Sequence, residues 1–164
     1  MDQTTARCLI LACGNTLRGD DGIGPSLADW AENRFAGDPR VCVISRQQWT
    51  PELAKDLAAA HSVVFVDCSS DSAPGQVLLF PVAADPELPS LSTHHLGAPE
   101  LLALARDLYG AHPAQAQILT IGAASLALSE ELSPALSAAL PEACRLLEES
   151  VLSSLTDPEL PKEF

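Results

Sequence analysis

The sequence predicts an α/β fold: a single-domain three-layer αβα sandwich around a mostly parallel, twisted sheet of about five strands, with one antiparallel hairpin. Three observations carry that prediction. Short apolar runs with β-branched residues alternate with helical periods along the chain. The first run, CLILAC, passes through a glycine-rich loop into a helix pattern, the opening of a parallel βαβ unit. Finally, 164 residues, of which 47% are hydrophobic, suit one core better than two.

Taken in order, strands are expected at 7–13, 41–45 and 62–67 (SVVFVD), then at 76–82 (QVLLFPV) and 117–123 (QILTIGA). Between them, 25–35 reads as a helix with Pro25 near its first position, and 51–60 as a second with Thr50 as its N-cap. A third helix spans 97–109. The last runs over 134–154 with Pro141 inside it. A proline there removes a hydrogen bond and crowds the preceding turn, so a kink or two abutting helices is expected. The domain is thus placed at 1–154, and the Pro- and Glu-rich stretch 155–164 reads as a loose tail. Only the turn-forming segment CSSDSAPG separates the third and fourth strands. It is too short for a helical crossover, which predicts that these two strands form the antiparallel hairpin.

The formal net charge is −13, and no cluster of Lys and Arg relieves it locally. Nucleic acid is therefore excluded as a partner by long-range repulsion. A cation or a basic polypeptide segment suits this field better, although an acidic surface also serves solubility alone. No apolar run approaches the roughly 18–20 residues of a membrane span, and MDQTTAR is not the basic-then-apolar start of a secretory signal. Five cysteines without a C-x-x-C pair predict reduced thiols and a cytoplasmic protein.

The loop GNTLRGDDGIG, residues 14–24, carries the chemistry. Gly14 and Gly19 have the spacing of a phosphate-binding loop, but Asp20 and Asp21 stand where Lys and Ser or Thr belong. Two carboxylates would repel a phosphate. Nor is a dinucleotide fingerprint complete, because Leu27 occupies the place of its third glycine. The loop therefore reads as a cation site. In parallel α/β sheets ligands bind outside the carboxyl ends of the strands, and the third strand ends there in a second carboxylate, Asp67. That residue could instead cap a turn, as aspartates often do.

STHHLG, residues 92–97, adds His94 and His95 just before the third helix. Two carboxylates and an imidazole suit a borderline divalent ion with open positions. Cys13 and Cys68, also at strand ends, read as wall residues in preference to ligands. His61 and His112 have little to recommend them, and no G-x-S-x-G elbow supports a serine hydrolase.

GNTLRGDDGIGP after the first strand, VVFVDCSSDSAPG at the third and STHHLG before a helix resemble the [NiFe]-hydrogenase maturation endopeptidases. The segments occur in that family's order and at its spacing, over nearly the whole chain. The resemblance implies a twisted sheet between helices and an endopeptidase that trims a C-terminal extension from the hydrogenase large-subunit precursor after nickel insertion. By motif match it implies that Asp21, Asp67 and His94 engage nickel carried by the substrate, with His95 at a variable position. From the charge and the apolar run lengths no nucleic-acid or membrane partner is expected, and a monomer is expected. The first ligand position is often Glu in the family and is Asp21 here. The family's Asp-Gly-Gly-like turn is replaced by Ser45-Arg46-Gln47-Gln48-Trp49, where Arg46 either orients a substrate carboxylate or is a solvated loop residue. The metal could polarise the scissile carbonyl, or only dock the substrate while a carboxylate acts as general base. Two rival readings are a metal-dependent hydrolase of small amides or phosphoesters and a non-catalytic nickel-binding protein.

Overall fold

The computed structural model describes residues 7–85 and 96–157. Strand β1 (Cys8–Cys13) is buried along its whole length, as the unbroken apolar run requires of a strand covered on both faces. β2 (Val41–Arg46) and β3 (Ser62–Ser69) lie parallel to it on either side, with Cys8 opposite Val41 and Ser62. β5 (Gln115–Gly122) runs parallel to β3, pairing Asp67 with Thr120, and β4 (Val77–Pro81) closes the sheet antiparallel to β5. The order is β2-β1-β3-β5-β4.

The mixed five-stranded sheet is the one expected, but the antiparallel partner differs. β4 pairs with β5 and not with β3, because β5 is inserted between them. Neighbouring strands lie about 4.8 Å apart, so a turn-rich segment of this length easily skips one position. It does so by crossing the end of β5: Gly75 N–H donates to the Gly122 carbonyl (2.8 Å), and Gly122 N–H to that of Gln76 (2.9 Å).

The two-residue alternation of the strands divides the interior into two layers. Cys8, Ile10 and Ala12 face one side, with α1 (Ile23–Arg34) and α4 (Pro134–Leu155) packed on them through Leu27, Leu136, Leu147 and Val151. Leu9, Leu11 and Cys13 face the other, against Leu57 of α2 (Ala54–Ala59) and Leu101 of α3 (Ala98–Tyr109). The predicted αβα layering is observed.

Local details depart from expectation. The second helix opens as a 3₁₀ turn at Pro51–Leu53; Thr50 sits at its N-cap position with extended backbone but makes no side-chain cap bond. α1 starts at Ile23, so Pro25 falls in its first turn, past the first position. α4 is one continuous helix despite Pro141, with Ser133 as its N-cap, accepting a bond from Leu136 N–H at 3.4 Å. An internal proline costs about 3 kcal/mol, whereas burying each Leu or Val recovers roughly 1.5–3. The apolar face from Leu136 through Ala143, Leu147 and Val151 therefore outweighs the break. The expected tail lies outside the described residues from 158 onward. Among the described residues, no helix is long and apolar enough to cross a membrane.

Candidate functional site

The carboxyl ends of β1, β2 and β3 open into one cavity of about 400 Å³. Its wall takes Cys13, Asn15, Arg18 and Asp21 from the first loop, and Gln47, Gln48 and Trp49 from the segment after β2. Asp67, Cys68 and Ser70 come from β3 and the loop beyond it, and Leu96 and Gly97 from the entry to α3. Leu126 completes it from the connection between β5 and α4. The two carboxylates expected to converge, Asp21 and Asp67, do so.

Two glycines let the first loop fold back onto the strand that precedes it. Gly14 has φ +154°, and a Cβ there would lie 2.0 Å from the Asp21 carbonyl oxygen. A Cβ on Gly24 would lie 2.1 Å from the Cys13 carbonyl oxygen. Only a bare backbone fits at either place. With the loop held this close, Asn15 N–H donates to Asp21 Oδ2 at 2.7 Å and fixes that carboxylate at the cavity wall.

Its neighbour Asp20 points the other way. Asp20 is 1% exposed and accepts from Ala124 N–H (2.8 Å), Ser125 N–H (2.9 Å), Ser133 N–H (2.6 Å) and the Ser133 hydroxyl (2.9 Å). Burial alone would raise its pKa, but the hydrogen bonds from Ser133, Ser125 and Ala124 more than offset it and hold the carboxyl below its ordinary value. Asp20 ties the loop to the β5–α4 connection. Of the two aspartates in the glycine-rich loop, one anchors it and the other faces the cavity.

Asp67 Oδ1 accepts from Cys68 N–H at 2.8 Å and from the Cys13 thiol at 3.3 Å. Both thiols are wall residues, as the sequence indicated. Burial pushes the Cys13 thiol up, and the Asp67 charge and hydrogen bond, then the Asp21 charge, push it further. Cys68 is pushed up to about 12 by burial and then by Asp21, Asp67 and Asp20. Both therefore stay protonated in the neutral range and are not thiolate nucleophiles.

His94 and His95 lie outside the described residues, while Leu96, two positions after His94 in sequence, lines the cavity. Among the described residues no three His, Cys, Asp or Glu side chains come together as a metal-holding group. His61 and His112 are not in the cavity wall. Neither is Arg46, which is exposed and donates to the Ser45 carbonyl at 2.9 Å. Sequence reasoning missed Asn15, Arg18, Trp49 and Leu126 as wall residues, and missed the β5–α4 connection entirely. Its one local signal was Ser133-Pro134, an N-cap followed by proline.

An α/β fold with a carboxylate-lined crevice at the carboxyl edge of its sheet defines the architecture, and solved structures that share it define the class, that of a peptidase. No family model and no curated protein matches the sequence; the likeness is structural. The chain resembles the hydrogenase maturating endopeptidase HybD from E. coli at 24% identity and a TM-score of 0.74, over 90% of this chain and 93% of that one. It resembles a hydrogenase 2 maturation peptidase from a Thaumarchaeota archaeon at 28% identity and a TM-score of 0.66, over 88% and 97%. The [NiFe] hydrogenase maturation protease HybD from Thermococcus kodakarensis matches at 25% identity and a TM-score of 0.65, over 88% and 98%. The chain shares the fold of the hydrogenase maturation endopeptidases, and the family resemblance carried by its three motifs is borne out.

Proposed function

We propose that this protein is an endopeptidase that removes the C-terminal extension of a [NiFe]-hydrogenase large-subunit precursor after nickel insertion. In this reading it recognises the substrate's nickel through Asp21, Asp67 and His94. The observation that carries it is the meeting of Asp21 and Asp67 in the wall of one cavity at the carboxyl ends of the strands. Two carboxylates and an imidazole suit a divalent ion and leave positions of its coordination sphere open. A metal that arrives inside a precursor already has its other ligands. The structural likeness to solved maturation proteases supports the substrate class.

The chain's own residues then have distinct tasks. Backbone donors at Asn15 and Cys68 fix the two carboxylates before substrate arrives, so little reorganisation is left for the reaction. A cavity carboxylate accepts the proton of the water that attacks the scissile carbonyl. The protonated Cys13 thiol donates to Asp67 and does not compete as nucleophile. The setting is the cytoplasm and the acting form a monomer; five free thiols support a reducing compartment.

Incubation with nickel-loaded and nickel-free precursor, followed by mass for loss of the C-terminal peptide, tests this. Cleavage of the loaded form alone is expected. Equal cleavage of both would remove nickel recognition, and cleavage of neither would overturn the function.

A further inference from the structure

We propose that Arg18 is the anion-binding residue of the cavity. Its guanidinium holds the scissile carbonyl oxygen as negative charge develops there, and then the carboxylate that cleavage leaves. This inference rests on the endopeptidase reading above.

The first support is a contrast among the arginines. All seven lie in the described residues, and six of them donate to a carbonyl or carboxylate of the chain itself. Among the described residues Arg18 alone has no such partner, although the chain carries 22 acidic residues. It is also the one Lys or Arg among the described residues in the cavity wall. A cation unclaimed by so acidic a protein, at the mouth of a site holding two carboxylates, is available to an external anion.

The second is its base. Arg18 N–H donates to the Asn15 carbonyl (3.0 Å), and the Arg18 carbonyl accepts from Asp21 N–H (3.2 Å). On either side of the Arg18–Ser129 bridge, Gly19 N–H donates to the Ser129 carbonyl (2.8 Å) and Ser129 N–H to that of Leu17 (3.0 Å). The exposed side chain therefore springs from a backbone fixed relative to Asp21.

The third is the chemistry. In the hydrolysis, a water oxygen bonds to the carbonyl carbon and the C–N bond breaks. One water proton passes by way of a carboxylate to the leaving amine nitrogen, and the other leaves the new carboxyl group for the freed amine, which departs as an ammonium. Negative charge stands on the carbonyl oxygen through the tetrahedral stage and remains on the product carboxylate. Asp21 and Asp67 oppose that charge, and Arg18 is the cation that the described cavity wall itself offers to it. Arginine stays ionised throughout, and its planar fork matches a carboxylate bidentately.

Single-turnover cleavage of nickel-loaded precursor at saturating protein tests the assignment in Arg18→Gln, Arg18→Lys and, as a control outside the cavity, Arg46→Gln. Arg18→Gln should cut the rate about 100-fold with little change in the half-saturating concentration. Arg18→Lys should recover part of the loss, and Arg46→Gln should match the wild type. A peptide ending in the mature C-terminus should inhibit the wild type better as the free acid than as the amide, and Arg18→Gln should lose that preference. A wild-type rate in Arg18→Gln, or loss confined to the half-saturating concentration, would overturn the proposal. A wild type that cleaves nothing overturns the endopeptidase reading itself, a distinct result.

Discussion

The inner side of the first loop, around Asp20, is closed, while the outer side, around Asp21, opens on the cavity. Asp20 is enclosed by four donors from the β5–α4 connection. Asp21 takes one backbone donor, from Asn15, and lines the cavity together with Asp67 and Arg18. The same side chain at adjacent positions is structural in one place and chemically available in the other. The number of donors that the chain itself supplies separates the two roles.

Charge removal should therefore have opposite consequences at the two positions. Asp21→Asn, and likewise Asp67→Asn, should lower precursor cleavage about 100-fold or more while leaving the thermal midpoint nearly unchanged. Normal processing by both variants would break the comparison. His94→Ala should abolish processing and His95→Ala retain most of it, because adjacent side chains diverge and only one need reach the ion. The reverse pattern in the same assay would move the ligand by one residue.

Asp20→Asn should act on stability instead. An amide turns a donor toward backbone N–H groups already committed to an acceptor, which costs about 1–3 kcal/mol, read from urea unfolding. The sign of the pH dependence follows from the depressed pKa. The stabilisation is fully present above the unfolded value near 3.8 and is lost as pH falls below it through the lower folded value. Wild type should thus lose stability in that acid window faster than Asp20→Asn, and parallel curves would remove the anchor role. Gly24→Ala should cost about 1–3 kcal/mol, because its methyl meets the β1 backbone in a filled site. A neutral result by thermal unfolding would show that the loop gives way there.

The elements of the sheet were legible because burial on both faces writes continuous apolar strands, as in residues 8–13 and 62–66. Strand order was less so. Nothing local to residues 68–75 says that β5, some forty residues later, will lie between the strands that this segment joins. At the site, Asp67 was legible as a carboxylate ending an apolar strand. The division of labour between Asp20 and Asp21 was not, because it depends on partners at 124, 125 and 133. Arg46 drew notice for its place at the end of β2, yet Arg18 reaches the cavity wall. Exposure of a long side chain is decided by the loop that carries it, which periodicity does not describe.

The anchor that Asp20 makes with Ser133 spans 113 residues, and this sets a sequence of events during synthesis. A chain emerging from the ribosome has its first loop long before it has the segment that holds that loop down. β5 must also enter between two strands already made. Both closures join distant parts of the chain, and such contacts form late because loop entropy must be overcome first. The carboxylate pair thus acquires its fixed geometry only when most of the polypeptide exists, so a nascent or truncated chain lacks the assembled cavity wall.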